Sequence, residues 1–256
     1  MIQTSSPRSG RRRARAAAAL LSLCVILPIA ASHAKETGTT DWPGTLEGHG
    51  GPVKSVALRG HEALTASFDY AAVLWDLSGA APREVHRLIG HRAAVNDAAF
   101  AGDRAVTVSD DGAAMIWDLA SGAALARHET GGEKAMAVAV SPDGTLAASA
   151  HWDNRARLYD TATGALTATL EGHRDNVNDV AFSLDGTHVL TASYDGTIRE
   201  WGTDGTGPRP LHDHGWGVNV IVPVMRGGEE WLVFGALDGT LGALPLADPA
   251  RVETVL

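Results

Sequence analysis

Short bursts of alternating apolar and polar residues fill the chain from about residue 44 onward. "NDVAFS" (178–183), "HVLTAS" (188–193) and "TIREW" (197–201) put apolar side chains at every second position or nearly so. That is the period of a strand with one face buried. A fourth strand is predicted at about 208–212. Asp-Gly pairs such as Asp195-Gly196 separate the bursts, as tight turns between antiparallel strands require. With 29 glycines and only 5% aromatic residues, the composition suits frequent turns around small β-type cores better than long helices.

The pattern repeats. Asp69, Asp111, Asp153 and Asp195 are each 42 residues apart, and Asp238 follows 43 later. Six residues after each stands Trp75, Trp117, Tyr159, Trp201 or Leu244. Four residues before each stands Thr65, Thr107, Ser149, Thr191 or Phe234. A histidine precedes four of the aspartates, as His49, His91, His173 and His214; the third copy has Gly131 there. The variable gap from histidine to aspartate falls where a loop absorbs it. A period in this range marks a repeat architecture whose units cannot bury both faces alone.

Gly48-His49, Gly90-His91 and Gly172-His173 open three copies, and Trp75-Asp76 and Trp117-Asp118 close two. "SPDG" (141–144) and "SLDG" (183–186) mark a first turn. With these motifs the chain resembles the WD40 repeat family over residues 44–256. The resemblance implies an all-β fold, a WD40 β-propeller with five four-stranded blades at about 46–88, 89–128, 129–170, 171–212 and 213–256. It also implies a hydrogen-bonded network inside each blade: His49, Thr65, Asp69 and Trp75; His91, Thr107, Asp111 and Trp117; His173, Thr191, Asp195 and Trp201. A buried carboxylate requires such donors.

A His-Asp-Thr set also suits nucleophilic catalysis. A catalytic site is needed once, however, and this set occurs three times, with partial versions in the third and fifth copies. That distribution fits architecture. No His-Glu-x-x-His, phosphate-binding glycine loop or Gly-x-Ser-x-Gly occurs. "LHDH" offers His212 and His214 as a metal pair, but His214 is in phase with the repeat histidines. The expectation is a protein that is not an enzyme and has no cofactor.

Propellers of this family bind proteins or peptides with the rim of one face. The family's rim positions are the residue before the repeat aspartate and those three and five after the repeat histidine. Here they give Phe68, Asp110, Trp152, Tyr194 and Leu237; Pro52, Ala94, Lys134, Asn176 and Gly217; and Lys54, Asn96, Met136, Asn178 and Asn219. Aromatic residues beside amides are typical interface anchors. Two readings stand for Phe68, Trp152 and Tyr194: partner contacts, or lids over the adjacent blade.

Residues 1–34 are different. Five arginines precede an apolar run, Ala16–Ala31, which ends in "SHA". This is the pattern of an export signal cleaved after Ala34, with residues 35–43 as linker and start of an N-terminal strand; the Sec and twin-arginine routes both remain open. The whole chain is at −9, so removing five arginines leaves −14. That balance disfavours nucleic acid and anionic membrane surfaces. No stable membrane span is expected after cleavage. Cys24, the one cysteine, lies in the signal, which excludes disulfides and cysteine chemistry from the rest.

Trp42–His49 and the C-terminal "RVETVL" both align with a fourth-strand position. Six fourth strands against five sets of the other three predict an incomplete, open ring, completed by lost residues or by another chain. The expected function is a scaffold for protein–protein interaction in the periplasm or outside the cell. The alternative, from a resemblance to exported proteins in which a WD40 propeller precedes a c-type cytochrome, is a propeller module of a haem c electron-transfer protein lacking its cytochrome domain, with a cytochrome as partner. A propeller hydrolase is the third.

Overall fold

The computed structural model describes residues 48–255. The expected export signal, the expected linker and the strand expected at Trp42–Leu46 lie outside the described residues. Twenty strands form five four-stranded antiparallel sheets, each a meander in chain order. Sheet I contains β1 (Val53–Arg59), β2 (Glu62–Ser67), β3 (Ala71–Asp76) and β4 (Arg83–Ile89). Sheet II contains β5 (Val95–Ala101), β6 (Arg104–Ser109), β7 (Ala113–Asp118) and β8 (Ala124–Glu129). Sheet III contains β9 (Ala135–Val140), β10 (Leu146–His151), β11 (Arg155–Asp160) and β12 (Leu166–Glu171). Sheet IV contains β13 (Val177–Phe182), β14 (His188–Ser193), β15 (Thr197–Gly202) and β16 (Arg209–Asp213). Sheet V contains β17 (Val218–Arg226), β18 (Glu229–Ala236), β19 (Leu241–Pro245) and β20 (Glu253–Thr254). Among the described residues no helix is long and apolar enough to cross a membrane.

The core is a series of layers between sheets. Ala98 and Trp117 of sheet II pack on Leu64 and Leu74 of sheet I. Tyr159 of sheet III packs on Ile116 of sheet II, and Trp201 of sheet IV on Leu158 of sheet III. Phe234 and Leu244 of sheet V pack on Leu190 and Ile198 of sheet IV. The first strand of each sheet leans on the first strand of the next, β1 on β5, β5 on β9, β9 on β13 and β13 on β17. This is the packing of blades around a central axis.

The arc is open. No strand of sheet V packs broadly on sheet I among the described residues. The consequence shows in β1. Val56 and Leu58 occupy the register positions of Ala98 and Phe100, which pack on the preceding sheet, yet Leu58 is 66% exposed.

Every first strand carries a β-bulge at its start. The register skips Lys54, Asn96, Met136, Asn178 and Asn219 against the neighbouring strand. A bulge re-aims the side chain of its extra residue. These are the five residues expected on the rim, five after the repeat histidine.

Candidate partner-binding face

At one end of each sheet the turn between the second and third strands meets the loop that enters the first. Backbone bonds fasten the two, from Phe68 N–H to Pro52 O (3.0 Å), Asp110 to Ala94 (2.9 Å), Trp152 to Lys134 (2.8 Å), Tyr194 to Asn176 (2.9 Å) and Leu237 to Gly217 (2.9 Å). The first two sets of rim positions are therefore neighbours in every sheet.

Beneath this end sit the polar networks. In sheet IV, His173 Nδ1 is 3.0 Å from Asp195 and Nε2 is 2.7 Å from Thr191 Oγ1, which accepts the Trp201 indole N–H at 2.9 Å. Sheets I and II repeat this with His49, Thr65, Asp69 and Trp75, and with His91, Thr107, Asp111 and Trp117. Burial opposes ionisation of Asp111, but the N–H groups of Arg92 and Ala113, with His91 and Arg127, hold its carboxyl at about 2. Asp195 is held lower still, against the same burial, by Thr197 and the Arg174 N–H. Burial pushes His91 and His173 down, so these imidazoles are neutral near pH 7 and link carboxylate to hydroxyl. The four side chains bond to one another in a chain, and its recurrence in three sheets fits a stabilising role.

Sheet III solves the missing histidine differently. His151, in the place of Ser67, Ser109 and Ser193, puts Nε2 2.6 Å from Ser149 Oγ, which is 2.9 Å from the Tyr159 hydroxyl. Its Nδ1 is buried without a partner. In sheet V, His214 still reaches Asp238 at 3.1 Å, while His212 and His214 pack against the Phe234 ring at 5.1 and 5.6 Å. Among the described residues no three His, Cys, Asp or Glu side chains gather as a metal site.

An arginine rides on the repeat aspartate in four sheets, and its source alternates. Arg87 and Arg127 come from the fourth strand, opposite Val73 and Met115 of the third. Arg157 and Arg199 come from the third strand, opposite Thr169 and Pro210 of the fourth. One place in space is filled from either side of a cross-strand pair.

Two expected partner contacts are corrected. Asn96 and Asn178 are buried. Asn96 donates to Ala135 O at 2.8 Å and Asn178 to Val218 O at 3.1 Å, each on the next sheet. The following aspartates complete a clamp, since Asp97 accepts from Val138 N–H (3.0 Å) and Asp179 from Ile221 N–H (2.8 Å). The bulge turns each amide toward the backbone of the next sheet, and that of Asn96 also reaches Asp110 of the rim. Asn176 and Asn219 are half-buried.

The remaining rim forms a continuous line. Lys54 Nζ donates to Asn96 Oδ1 (2.7 Å), Asn96 to Asp110 (2.7 Å), and Lys134 to Asp110 (2.7 Å). Lys134 Nζ lies 5.4 Å from the Trp152 ring centroid, and Trp152 lies 6.3 Å from Tyr194 across sheets III and IV. Trp152 and Tyr194 are thus half-buried, covering each other, while the Trp152 indole N–H has no acceptor. Phe68 is 48% exposed.

Two residues of this face escaped the sequence analysis. Trp216, 64% exposed, stands in the loop entering sheet V, beside exposed Leu237. Tyr70 takes the turn position that Gly112, Gly196 and Gly239 fill elsewhere, at φ +71°, and is exposed. A bulky residue there is strained. The replaced glycine was its one signal in the sequence.

Residues 82–118, 123–160 and 164–202 match the family model of the WD domain, G-beta repeat. The chain carries WD40 repeats. Each matched WD40 unit runs from the fourth strand of one sheet through the third strand of the next. No curated protein matches the chain. Among solved structures, the crystal structure of the computationally designed Ika8 protein is similar at 24% identity and a TM-score of 0.68. The match covers 78% of this chain and 60% of the designed one. This chain thus spans less than two thirds of that protein's length, and the likeness is one of fold.

Proposed function

We propose that this protein is a non-enzymatic scaffold that binds another protein or peptide in the periplasm or outside the cell. Its partner surface is the sheet end bearing Phe68, Tyr70, Trp152, Tyr194, Trp216 and Leu237. The observation that carries this reading is the paired Trp152 and Tyr194 rings, continued by exposed Trp216 and Leu237 along one rim. Large rigid side chains in a line give much contact area at little entropic cost. WD40 repeats agree with it, because their propellers generally bind proteins. Neither the family match nor the designed structure favours a cytochrome-fused subgroup.

Affinity capture from periplasmic extract with the tagged chain, followed by mass spectrometry, identifies the partner. The Trp152→Ala, Tyr194→Ala double variant is expected to lose capture while keeping its fold by circular dichroism. Full capture by a folded double variant rules the surface out. N-terminal sequencing of the exported product is expected to begin at Lys35; an uncleaved cytoplasmic product rules out the compartment.

A further inference from the structure

A pocket of about 310 Å³ opens at the outer edge of sheet IV, where β15, β16 and the loop entering β13 meet. Arg174, Arg199, Thr197, Pro210, His212 and Asp213 line it. Sheet II has the same positions. There Glu129 lies between two arginines, 3.2 Å from Arg92 and 2.9 Å from Arg127. Arg92 and Arg174 are equivalent, each donating its backbone N–H to the repeat aspartate. Arg127 and Arg199 fill the same place from opposite strands, and Glu129 and Asp213 share one register position.

In sheet IV the equivalent of Glu129 is one methylene shorter. Asp213 accepts from Gly215 N–H at 3.1 Å, which turns it toward the loop, and it makes no ion pair with Arg174 or Arg199. The Arg174 side chain has no partner among the described residues. Arg199 donates to Thr197 Oγ1 at 3.0 Å and reaches Asp195 only at 3.8 Å. Pro210, opposite Arg199, carries only its short apolar ring where sheet II has the long Arg127 side chain. His212 adds a buried Nε2 without a partner.

We propose that this pocket binds a carboxylate from an incoming polypeptide, seated between Arg174 and Arg199 as Glu129 is seated between Arg92 and Arg127. The chain itself shows which group fits. This goes beyond the aromatic rim, since the pocket lies on the outer strands and needs none of its rings. Guanidinium groups suit a carboxylate because they donate in a fixed fork.

The test follows arginine side-chain N–H resonances of the exported full chain during titration with four probes. These are N-acetylglutamate amide, N-acetylglycine, N-acetylglutamine amide and inorganic phosphate. Saturable shifts of Arg174 and Arg199 with either carboxylate support the site, and their ranking tells a side-chain carboxylate from a chain terminus. Equal shifts with the glutamine probe, or tighter binding of phosphate than of both carboxylates, overturn it. Arg174→Gln, which breaks no internal bond, is expected to weaken carboxylate binding about tenfold or more. Asp213→Glu supplies the internal carboxylate and is expected to abolish binding while the protein stays folded. Undiminished binding by both variants also overturns the proposal. A loss of partner capture in the Trp152 and Tyr194 variant with this binding intact separates the two surfaces.

Discussion

His151 Nε2 lies 2.6 Å from Ser149 Oγ, two residues away on the same strand. It takes the place of the loop histidine that sheet III lacks, so the hydroxyl still has an imidazole on one side and a ring hydroxyl on the other. His151→Ala empties a buried site and leaves Ser149 with Tyr159 alone. The expected cost is about 3 kcal/mol, measured as a lower urea midpoint. A loss under about 1 kcal/mol would show that the imidazole is passive filler. Burial and nearby Arg157 depress His151 to about 3, against about 6.5 in the unfolded chain. The unfolded state takes up its proton first on acidification. This residue's contribution is therefore intact above pH 6.5 and is lost as pH falls toward 3. The alanine variant should lose less stability than the parent between pH 6.5 and 4.

Tyr70 and Gly112 occupy the same turn position at φ +71° and +79°. Only glycine adopts that region without penalty. Tyr70→Gly is expected to raise stability by about 1 kcal/mol and to weaken partner capture. If the glycine variant is less stable, Tyr70 contributes packing that outweighs its strain. If it captures its partner as well as the parent does, the exposed ring is not part of the surface.

The alternating arginines give a compensation test. Arg157→Met removes the 2.5 Å contact to Asp153 and copies Met115 of sheet II. The carboxylate keeps its burial and loses its main counter-charge, so the expected loss is about 2 kcal/mol. Adding Thr169→Arg copies Arg127 from the opposite strand and should recover more than half of it. Denaturant unfolding of the two variants decides, and no recovery in the double variant would show that the two sources of arginine are not interchangeable.

Periodic residues were legible in the sequence, and re-aimed ones were not. Thr191, Asp195 and Trp201 recur at fixed offsets, and the strands and three full networks follow from that recurrence. His151 was hidden because it fills a serine slot with a different residue type. The arginines were hidden because their source changes strand, so no single offset holds them. Asn96 and Asn178 have the expected spacing, but a bulge points them at the next sheet, and spacing along a chain does not encode that turn. Trp216 has no counterpart in other copies, so a search for repeats passes over it.

Asp179 ties sheet IV to sheet V through the Ile221 N–H, and it does so without a cation. Burial pushes its carboxyl up to about 7, although the Ile221 and Val180 N–H groups pull the other way. Asp97, which holds sheet III in the same manner, is raised for the same reason and adds its own charge to Asp179. The unfolded value is near 3.9. Between these limits the native state holds a proton that the unfolded state has released. Stability from Asp179 is thus fully present at low pH and is lost as pH rises through 7. The buried histidines act in the opposite direction below 6.5, which leaves the interval from 6.5 to 8 to the aspartates. The urea midpoint should be higher at pH 6.5 than at pH 8. Asp179→Asn removes the titration and should flatten that slope, while destabilising the sheet IV–V contact at both values because its amide presents a donor to backbone donors. An unchanged slope in the variant would mean that Asp179 is ionised throughout and that the clamp is not sensitive to pH.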